Sequence, residues 1–115
     1  MSSVASHKFA RISPQKVRPL ADLIRGKFVD EALDILQYQP HRGARMLEKV
    51  LKSAVANAQD PDQNPGRMIN VSDLYVSVAS IDNGPMFKRI RPRARGMAFV
   101  IKKRMSHIKV EVDEV

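Results

Sequence analysis

The sequence predicts an α+β fold in which three helices pack on a small antiparallel sheet and a long β-hairpin protrudes from them. The three helical patterns stand together before residue 60, and the two clearest strand patterns follow after residue 70, without the strand-helix-strand alternation of parallel sheets. The connection between these two strands is also much longer than a usual hairpin loop of about two to five residues. These observations together favour a hairpin that extends beyond the sheet.

The size and composition of the chain limit what it can be. A length of 115 residues with 43% hydrophobic residues suits one core, and we expect 1–115 to form a single domain, with a globular part at about 1–82 and 106–115 and a hairpin at about 83–105. The absence of cysteine excludes disulfides and zinc ribbons and is typical of a cytoplasmic protein. Because the chain shows neither a membrane-spanning apolar run nor an apolar signal segment, we expect no membrane partner.

The first helix has clear start and stop signals but contains a proline. Ser13 suits the N-cap, Pro14 suits the first helical position, and Gly26 suits the stop. Pro19 lies inside this pattern and cannot donate a backbone hydrogen bond. The first helix is therefore either kinked or begins only near Arg18.

Two further helices follow. Residues 29–38 carry one apolar stripe and end before Pro40. Residues 44–58 have the clearest 3.6-residue apolar repeat in the chain, so we expect them to form the core helix. The stripe predicted to be buried consists of Leu47, Val50, Leu51, Ala54 and Val55.

The strand patterns are an edge strand at residues 4–12, a buried strand at 71–82 and its return at 97–112. The apolar positions of the return strand are odd-numbered up to Ile101 and even-numbered from Ile108, so a bulge or twist is required between them. The two faces of the buried strand are expected to carry Leu74, Val76 and Val78 on one side and Tyr75, Ala79 and Ile81 on the other.

Positive charge is concentrated in one segment. The net charge of +8 indicates a polyanionic partner, and residues 84–109 alone contain nine bases and no acid, whereas residues 28–83 contain more acids than bases. The nine bases are Lys88, Arg89, Arg91, Arg93, Arg95, Lys102, Lys103, Arg104 and Lys109. Four further bases lie near the N-terminus: Lys8, Arg11, Lys16 and Arg18. Charge alone leaves open whether they form a second RNA-binding face or only a solubilising surface.

The basic segment lies in the predicted hairpin, which would extend beyond the compact domain. If residues 81–105 form a hairpin, each arm of about 12 residues reaches on the order of 40 Å, beyond a compact domain whose radius of gyration is about 13 Å. Arginine outnumbers lysine at the tip, which suits bidentate phosphate contacts and stacking on bases. We therefore predict folded RNA as the partner, ahead of duplex DNA, whose readers more often present a recognition helix.

The sequence does not indicate an enzyme. The three histidines, His7, His41 and His107, lie far apart and do not have the spacing of metal ligands. The glycines form neither a dinucleotide-binding motif nor a phosphate loop. We expect no catalytic residue, no metal and no cofactor.

Several segments resemble one protein family along nearly the whole chain. They are Arg11-Ile-Ser-Pro-Gln-Lys-Val-Arg18, Ala21-Asp-Leu-Ile-Arg-Gly-Lys27, Ser53-Ala-Val-Ala-Asn-Ala58, Gly84-Pro-Met-Phe-Lys-Arg-Ile-Arg-Pro-Arg-Ala-Arg-Gly96 and Lys103-Arg-Met-Ser-His-Ile108. These segments resemble the L-twenty-two family of large-ribosomal-subunit proteins, and the chain lacks the long insertion of its archaeal and eukaryotic members, so the resemblance is to the bacterial type.

The resemblance implies a structural constituent of the large ribosomal subunit that supports subunit assembly. It implies a small domain near the peptide exit and a hairpin that passes through large-subunit (23S) ribosomal RNA to line the nascent-peptide tunnel, beside the L-four protein and near the macrolide-binding region. The nascent peptide and neighbouring ribosomal proteins are the other implied partners, and no homo-oligomer is expected. The competing hypothesis is a free regulatory nucleic-acid-binding protein.

The charge pattern and the resemblance together predict the site residues. The predicted rRNA-binding residues are Lys88, Arg89, Arg91, Arg93, Arg95, Lys102, Lys103, Arg104, His107, Lys8, Arg11, Lys16 and Arg18. The resemblance implies that the tunnel-lining tip consists of Arg89, Ile90, Arg91, Pro92, Arg93, Ala94, Arg95 and Gly96. Pro19, Met97 and Val100 depart from the expected family pattern, and for Met97 and Val100 this leaves RNA contact open.

Overall fold

The computed structural model describes residues 2–60, 69–92, 96 and 98–114. Within them three helices lie on one face of a three-stranded antiparallel sheet, which confirms the predicted α+β class. The elements are β1 (Ser2–Ala10), α1 (Pro14–Ile24), α2 (Val29–Tyr38), α3 (Arg42–Gln59), a short 3-10 turn (Val71–Asp73), β2 (Leu74–Pro92) and β3 (Ala98–Glu114). The strand order is β1-β3-β2, so β1 is the predicted edge strand and β3 is central.

The core lies between the helices and the inner face of the sheet. α1 packs against β2, α3 packs against β1 and β3, and α2 packs against α3. α3 supplies the largest buried stripe, in which Leu47, Val50 and Leu51 are buried and Val55 is half-buried. Burying each large aliphatic side chain stabilises a fold by roughly 1.5–3 kcal/mol, so this packing holds the sheet and the helices together. No helix within the described ranges is long and apolar enough to span a membrane.

Pro19 does not delay the start of α1. The helix begins at Pro14 and continues through Pro19, so the predicted alternative start near Arg18 is wrong. The missing amide of Pro19 deprives only the carbonyl of Gln15 of its helical partner. Both Pro19 and Gln15 are exposed, and solvent can hydrogen-bond that carbonyl, which explains why the helix tolerates the proline.

The outer edges of the sheet are covered by other parts of the chain. After α1, the N–H of Gly26 donates to the carbonyl of Val76 at 2.9 Å, and the N–H of Val76 donates to the carbonyl of Lys27 at 2.9 Å. Gly26 has a φ of +81°, which glycine adopts at little cost. On the other edge, the side chain of Asn57 donates to the carbonyl of Val4 at 2.9 Å. These bonds occupy backbone groups at one position of each edge strand, which would otherwise be open to pairing with another chain.

β2 contains a bulge that changes which residues face the core. Ser77 is an extra residue between the pairs that Val76 and Val78 form with β3. Because side chains alternate along a strand, one extra residue moves all later positions to the opposite face. Ala79 and Ile81 therefore join Val76 in the core, and Val78 is only half-buried. The predicted faces, which grouped Val78 with Val76, were wrong after residue 77.

A second irregularity marks the root of the hairpin. The pairing register shifts between Asn83 and Met86 of β2 and between His7 and Ala10 of β1. The irregularity predicted between residues 101 and 108 of the return strand is therefore present. The extra residues, however, belong to β1 and β2, which pair with β3 on either side. Gly84 suits this position because a Cβ here would lie 3.1 Å from the backbone of Met105, which is a tight contact.

Beyond this root, β2 and β3 continue as a two-stranded ribbon. Pairing extends from Met86 opposite Arg104 to Pro92 opposite Ala98. Every described side chain between residues 82 and 105 is exposed or half-buried. The molecule measures 67 × 28 × 15 Å with a radius of gyration of 17.5 Å, whereas a compact chain of this length has about 13 Å. The long protruding hairpin of the predicted fold is therefore confirmed.

Val50→Asp should unfold the domain, because Val50 is only 4% exposed and a carboxylate there would lie in the core without a partner. An unpaired buried charge costs on the order of 3–5 kcal/mol, a large part of a domain's stability of about 5–15 kcal/mol. Thermal melting followed by circular dichroism measures this. Lys49→Asp, at an exposed neighbouring position in α3, is the control and should melt cooperatively near the wild-type midpoint. An unchanged midpoint for Val50→Asp would contradict the assigned core.

Candidate nucleic-acid interface

The hairpin carries bases on both of its faces. Lys88 pairs in register with Lys102, and Phe87 pairs with Lys103. Paired residues share a face and successive residues alternate, so Lys88, Lys102 and Arg104 lie on one face and Lys103 lies on the other. All four of these bases are exposed. Like charges opposite each other are unfavourable, and an anion on each face of the ribbon would offset their repulsion.

The acids of the described residues are concentrated on the globular part. The sequence places no acid between residues 83 and 110. Ion pairs in the described globular part include Asp22 with Arg25, Glu31 with Lys27, Glu48 with Arg45 and Lys52, and Glu111 with Lys109. Arg45 also donates to the carbonyls of Gln37 and Gln39 at the end of α2. The positive potential of the ribbon is therefore not balanced by acids of its own.

A groove lies where the hairpin leaves the domain, between the first turns of α1 and α3. We name it the root groove; its volume is about 1290 Å³. Gly43 allows the start of α3 to come close, because a Cβ there would lie 3.2 Å from the side chain of Ile12. Six of the residues that line the root groove carry basic or imidazole side chains: Arg11, Lys16, His41, Arg42, Lys103 and Arg104.

The root groove brings together predicted residues that are far apart in the sequence. Arg11 and Lys16 come from the N-terminal segment, and Lys103 and Arg104 come from β3. Sequence reasoning missed His41 and Arg42, which begin α3 in a part of the chain with more acids than bases. Only the fold places the start of α3 beside the hairpin, so no local signal distinguished these two residues.

Arg18 contacts the protein rather than facing only solvent. Its Nε and Nη2 atoms donate to the carbonyl of Ile81 at 3.2 Å each, and Nη2 also donates to Oδ1 of Asn83 at 3.3 Å. Nη2 of Arg25, the C-cap residue of α1, donates to the carbonyl of Ala79 at 2.5 Å. These two arginines fasten α1 to the outer edge of β2, just before the hairpin begins. RNA contact by Arg18 stays a prediction.

His107 holds the end of β1 against β3. The N–H of Phe9 donates to Nδ1 of His107 at 3.0 Å, and the two rings meet edge to face with centroids 5.0 Å apart. Phe9 adopts a φ of +60°, which is uncommon for a residue other than glycine. With Nδ1 accepting, the proton of a neutral His107 is on Nε2, which leaves that N–H to donate elsewhere. RNA contact by His107 stays a prediction, as it does for the exposed Lys8.

The structure describes only part of the hairpin tip. The backbones of Arg89, Arg91 and Pro92 belong to β2, and that of Val100 belongs to β3, but their side chains lie outside the described part. Ile90 is exposed, with 73% of its surface accessible, and Gly96 has a φ of +69°. Three further predicted tip residues, Arg93, Ala94 and Arg95, lie outside the described residues. So does Met97, one of the residues that depart from the expected family pattern. Among the described residues, no group of carboxylates and histidines could hold a metal ion.

The comparison with known proteins identifies the family. The model of the family described as ribosomal protein L22p/L17e matches residues 5–113. The chain belongs to this family. The family resemblance given by the sequence segments is therefore confirmed, and so is the prediction that the protein is not an enzyme, because this is a family of structural ribosomal proteins.

Bacterial relatives match over almost their whole length. A protein of Rhodopirellula baltica is 67% identical over 111 residues, which are 96% of this chain and 93% of that protein. A protein of Caldicellulosiruptor saccharolyticus is 52% identical over 112 residues, 97% of this chain and 88% of that protein. One of Maridesulfovibrio salexigens is 52% identical over 115 residues and the whole of both chains. All three are named large ribosomal subunit protein uL22.

Arg18→Gln should destabilise this family member, because it removes the bonds that join α1 to β2. We expect a loss of roughly 1 kcal/mol, at the low end for a charge-assisted bond since Arg18 is exposed. Chemical denaturation of the purified protein measures this loss. Lys16→Gln, on the same helix, is the control and should change stability by less than about 0.5 kcal/mol while weakening RNA binding. Equal stability losses in the two variants would contradict the structural role of Arg18.

Proposed function

We propose that the protein is a structural constituent of the large ribosomal subunit in the cytoplasm, that it binds large-subunit (23S) ribosomal RNA and that it supports subunit assembly. The observation that carries this proposal is the ribbon of β2 and β3, which extends from the domain with exposed bases on both faces. The names of the bacterial relatives support the ribosomal location.

The shape of the ribbon favours a partner that surrounds it. A protein that docks on the surface of a nucleic acid needs bases on one side only, whereas Lys88 and Lys103 face opposite sides. Folded RNA can place phosphates on both sides of a narrow ribbon, and each neutralised phosphate releases condensed counterions. Binding would thereby offset the repulsion between the paired Lys88 and Lys102. The same contacts with several RNA segments would hold those segments together during assembly.

The finer part of the proposal concerns the end of the hairpin. We infer that residues 89–96 line the nascent-peptide tunnel, near the L-four protein and in contact with the growing chain. The exposure of Ile90, with no core to bury it, and the 67 Å length of the molecule support a tip that reaches far from the domain. Neighbouring ribosomal proteins and the nascent peptide are then partners of the tip, while the root groove and both arms contact RNA.

Replacing residues 88–95 by Asn-Gly should separate folding from function. The free domain should keep its melting midpoint, because the described side chains of this segment are exposed and add nothing to the core. The variant should assemble less well into large subunits, since it loses five bases. The measurement is the fraction of tagged protein that sediments with large subunits in a sucrose gradient, for the wild type and the variant.

The control is Lys49→Gln in α3, which leaves residues 88–95 unchanged and lies outside both the ribbon and the root groove. It should sediment as the wild type does. A wild-type protein found mainly at the top of the gradient would contradict the ribosomal proposal and favour a free regulatory nucleic-acid-binding protein. Unfolding of the Asn-Gly variant would contradict the separation of the hairpin from the core.

A further inference from the structure

The root groove is lined by apolar as well as basic residues; we call the apolar ones its floor and the basic ones its rim. The floor is formed by Ile12, Pro19, Leu20, Phe87 and Met105. Leu20 is 4% exposed, whereas Phe87, at the start of the ribbon, is 45% exposed. The volume of about 1290 Å³ exceeds the roughly 300–1,000 Å³ of typical small-ligand sites. The root groove therefore has room for a flat apolar group together with the charged groups on either side of it.

The charged residues among those described at the root groove are all basic. None of the described residues that line it is acidic. In the described part of the chain, no ion pair joins Arg11, Lys16, Lys103 or Arg104 to an acid. Arg42 is held in place because its guanidinium donates to the backbone carbonyl of Arg11. Five cations around one groove repel each other, so a ligand with at least two negative charges would relieve the repulsion.

The two helix ends add to this potential. α1 begins at Pro14 and α3 begins at Arg42, and neither N-cap residue, Ser13 or His41, uses its side chain to cap the first turn. The first amides of a helix carry partial positive charge and favour anions. Residues of both helix starts line the groove, among them Ser13, Lys16 and Arg42, so the helix ends strengthen its preference for an anion.

We propose that the root groove binds one unpaired nucleotide of RNA, with its base on the apolar floor and its flanking phosphates on the basic rim. This inference rests on the proposed RNA-binding function and specifies the form of RNA that this site takes. A paired duplex presents phosphates and hydroxyls but keeps its bases stacked inside, so it would not cover the exposed part of Phe87. A base turned out of its stack supplies a flat apolar face for Phe87 and a phosphate on each side for the rim.

The test compares two RNA hairpins that differ only in one bulged adenosine. Binding of the full chain to each fluorescently labelled RNA is measured by anisotropy at one fixed salt concentration. We expect the bulged RNA to bind at least tenfold more tightly than the fully paired RNA. Total large-subunit ribosomal RNA, measured in parallel, reports on the proposed function independently of this preference.

Two variants locate the preference in the root groove. Gln15→Trp places a large side chain in the groove without changing charge, since Gln15 lines it and is exposed; it should abolish the preference for the bulge. Gln37→Trp, at an exposed position in α2 outside the groove, is the matched control and should keep it. Phe87→Ala removes the aromatic face at an exposed position and should reduce the preference about fivefold or more.

The outcomes distinguish this inference from the proposed function. Tight binding to large-subunit RNA with equal affinity for the two hairpins would overturn the nucleotide site and leave the proposed function standing. A preference that persists in a folded Gln15→Trp protein would place the unpaired base elsewhere and also overturn it. Competition by an acidic peptide, without any preference for the bulge, would assign the root groove to a protein partner instead. Failure to bind any of the RNAs would overturn both proposals.

Discussion

A two-stranded ribbon has no core, so its position depends on how its root is held. β3 meets this constraint because one continuous strand is central in the sheet at Ile108, Val110 and Val112, all buried, and becomes one arm of the ribbon before residue 105. An isolated hairpin is at best marginally stable in water. The packing of α1 and α3 on the sheet therefore stabilises the base of the ribbon as well as the domain. The bonds from Arg18 to β2 reinforce the same place.

This arrangement assigns different tasks to similar side chains. Arg18, Arg25 and Arg45 donate to backbone carbonyls of the protein, and they join elements that hydrophobic packing alone would hold less specifically. The bases of the ribbon extend away from the core and lack acids nearby in the sequence. Charge on the globular part therefore contributes to structure, whereas the bases at positions 102–104 of the ribbon are exposed.

The periodic parts of the fold could be predicted from the sequence because burial repeats at fixed intervals. The stripe of Leu47, Val50 and Leu51 identified α3, and Ser13-Pro14 with Gly26 identified the limits of α1. The bulge at Ser77 was missed because Val78 continues the even-numbered apolar positions of Leu74 and Val76, and the bulge reversed the expected face of Val78. The length of the hairpin followed from the long basic connection, because no short turn could contain it.

The site was predicted less completely than the fold. A basic segment indicates a polyanion, but composition does not reveal whether a guanidinium reaches a carbonyl of its own chain, as that of Arg18 does. The root groove brings together Arg11, Arg42 and Lys103. In the sequence, Arg11 and Arg42 lie more than 30 residues apart, and Arg42 and Lys103 lie more than 60 residues apart. Their convergence depends on the packing of α1, α3 and the ribbon, and no local pattern records it. The apolar floor of the root groove could not be predicted from the sequence for the same reason.

The central claim is that the ribbon and the root groove bind ribosomal RNA by neutralising its phosphates. The most direct measurement is the affinity of the free protein for large-subunit ribosomal RNA as a function of salt concentration. With about six to nine phosphates neutralised, the logarithm of the affinity should fall with the logarithm of salt at a slope of about −5 to −8. A slope near about −1 would mean that roughly one phosphate is neutralised, and it would contradict the electrostatic account.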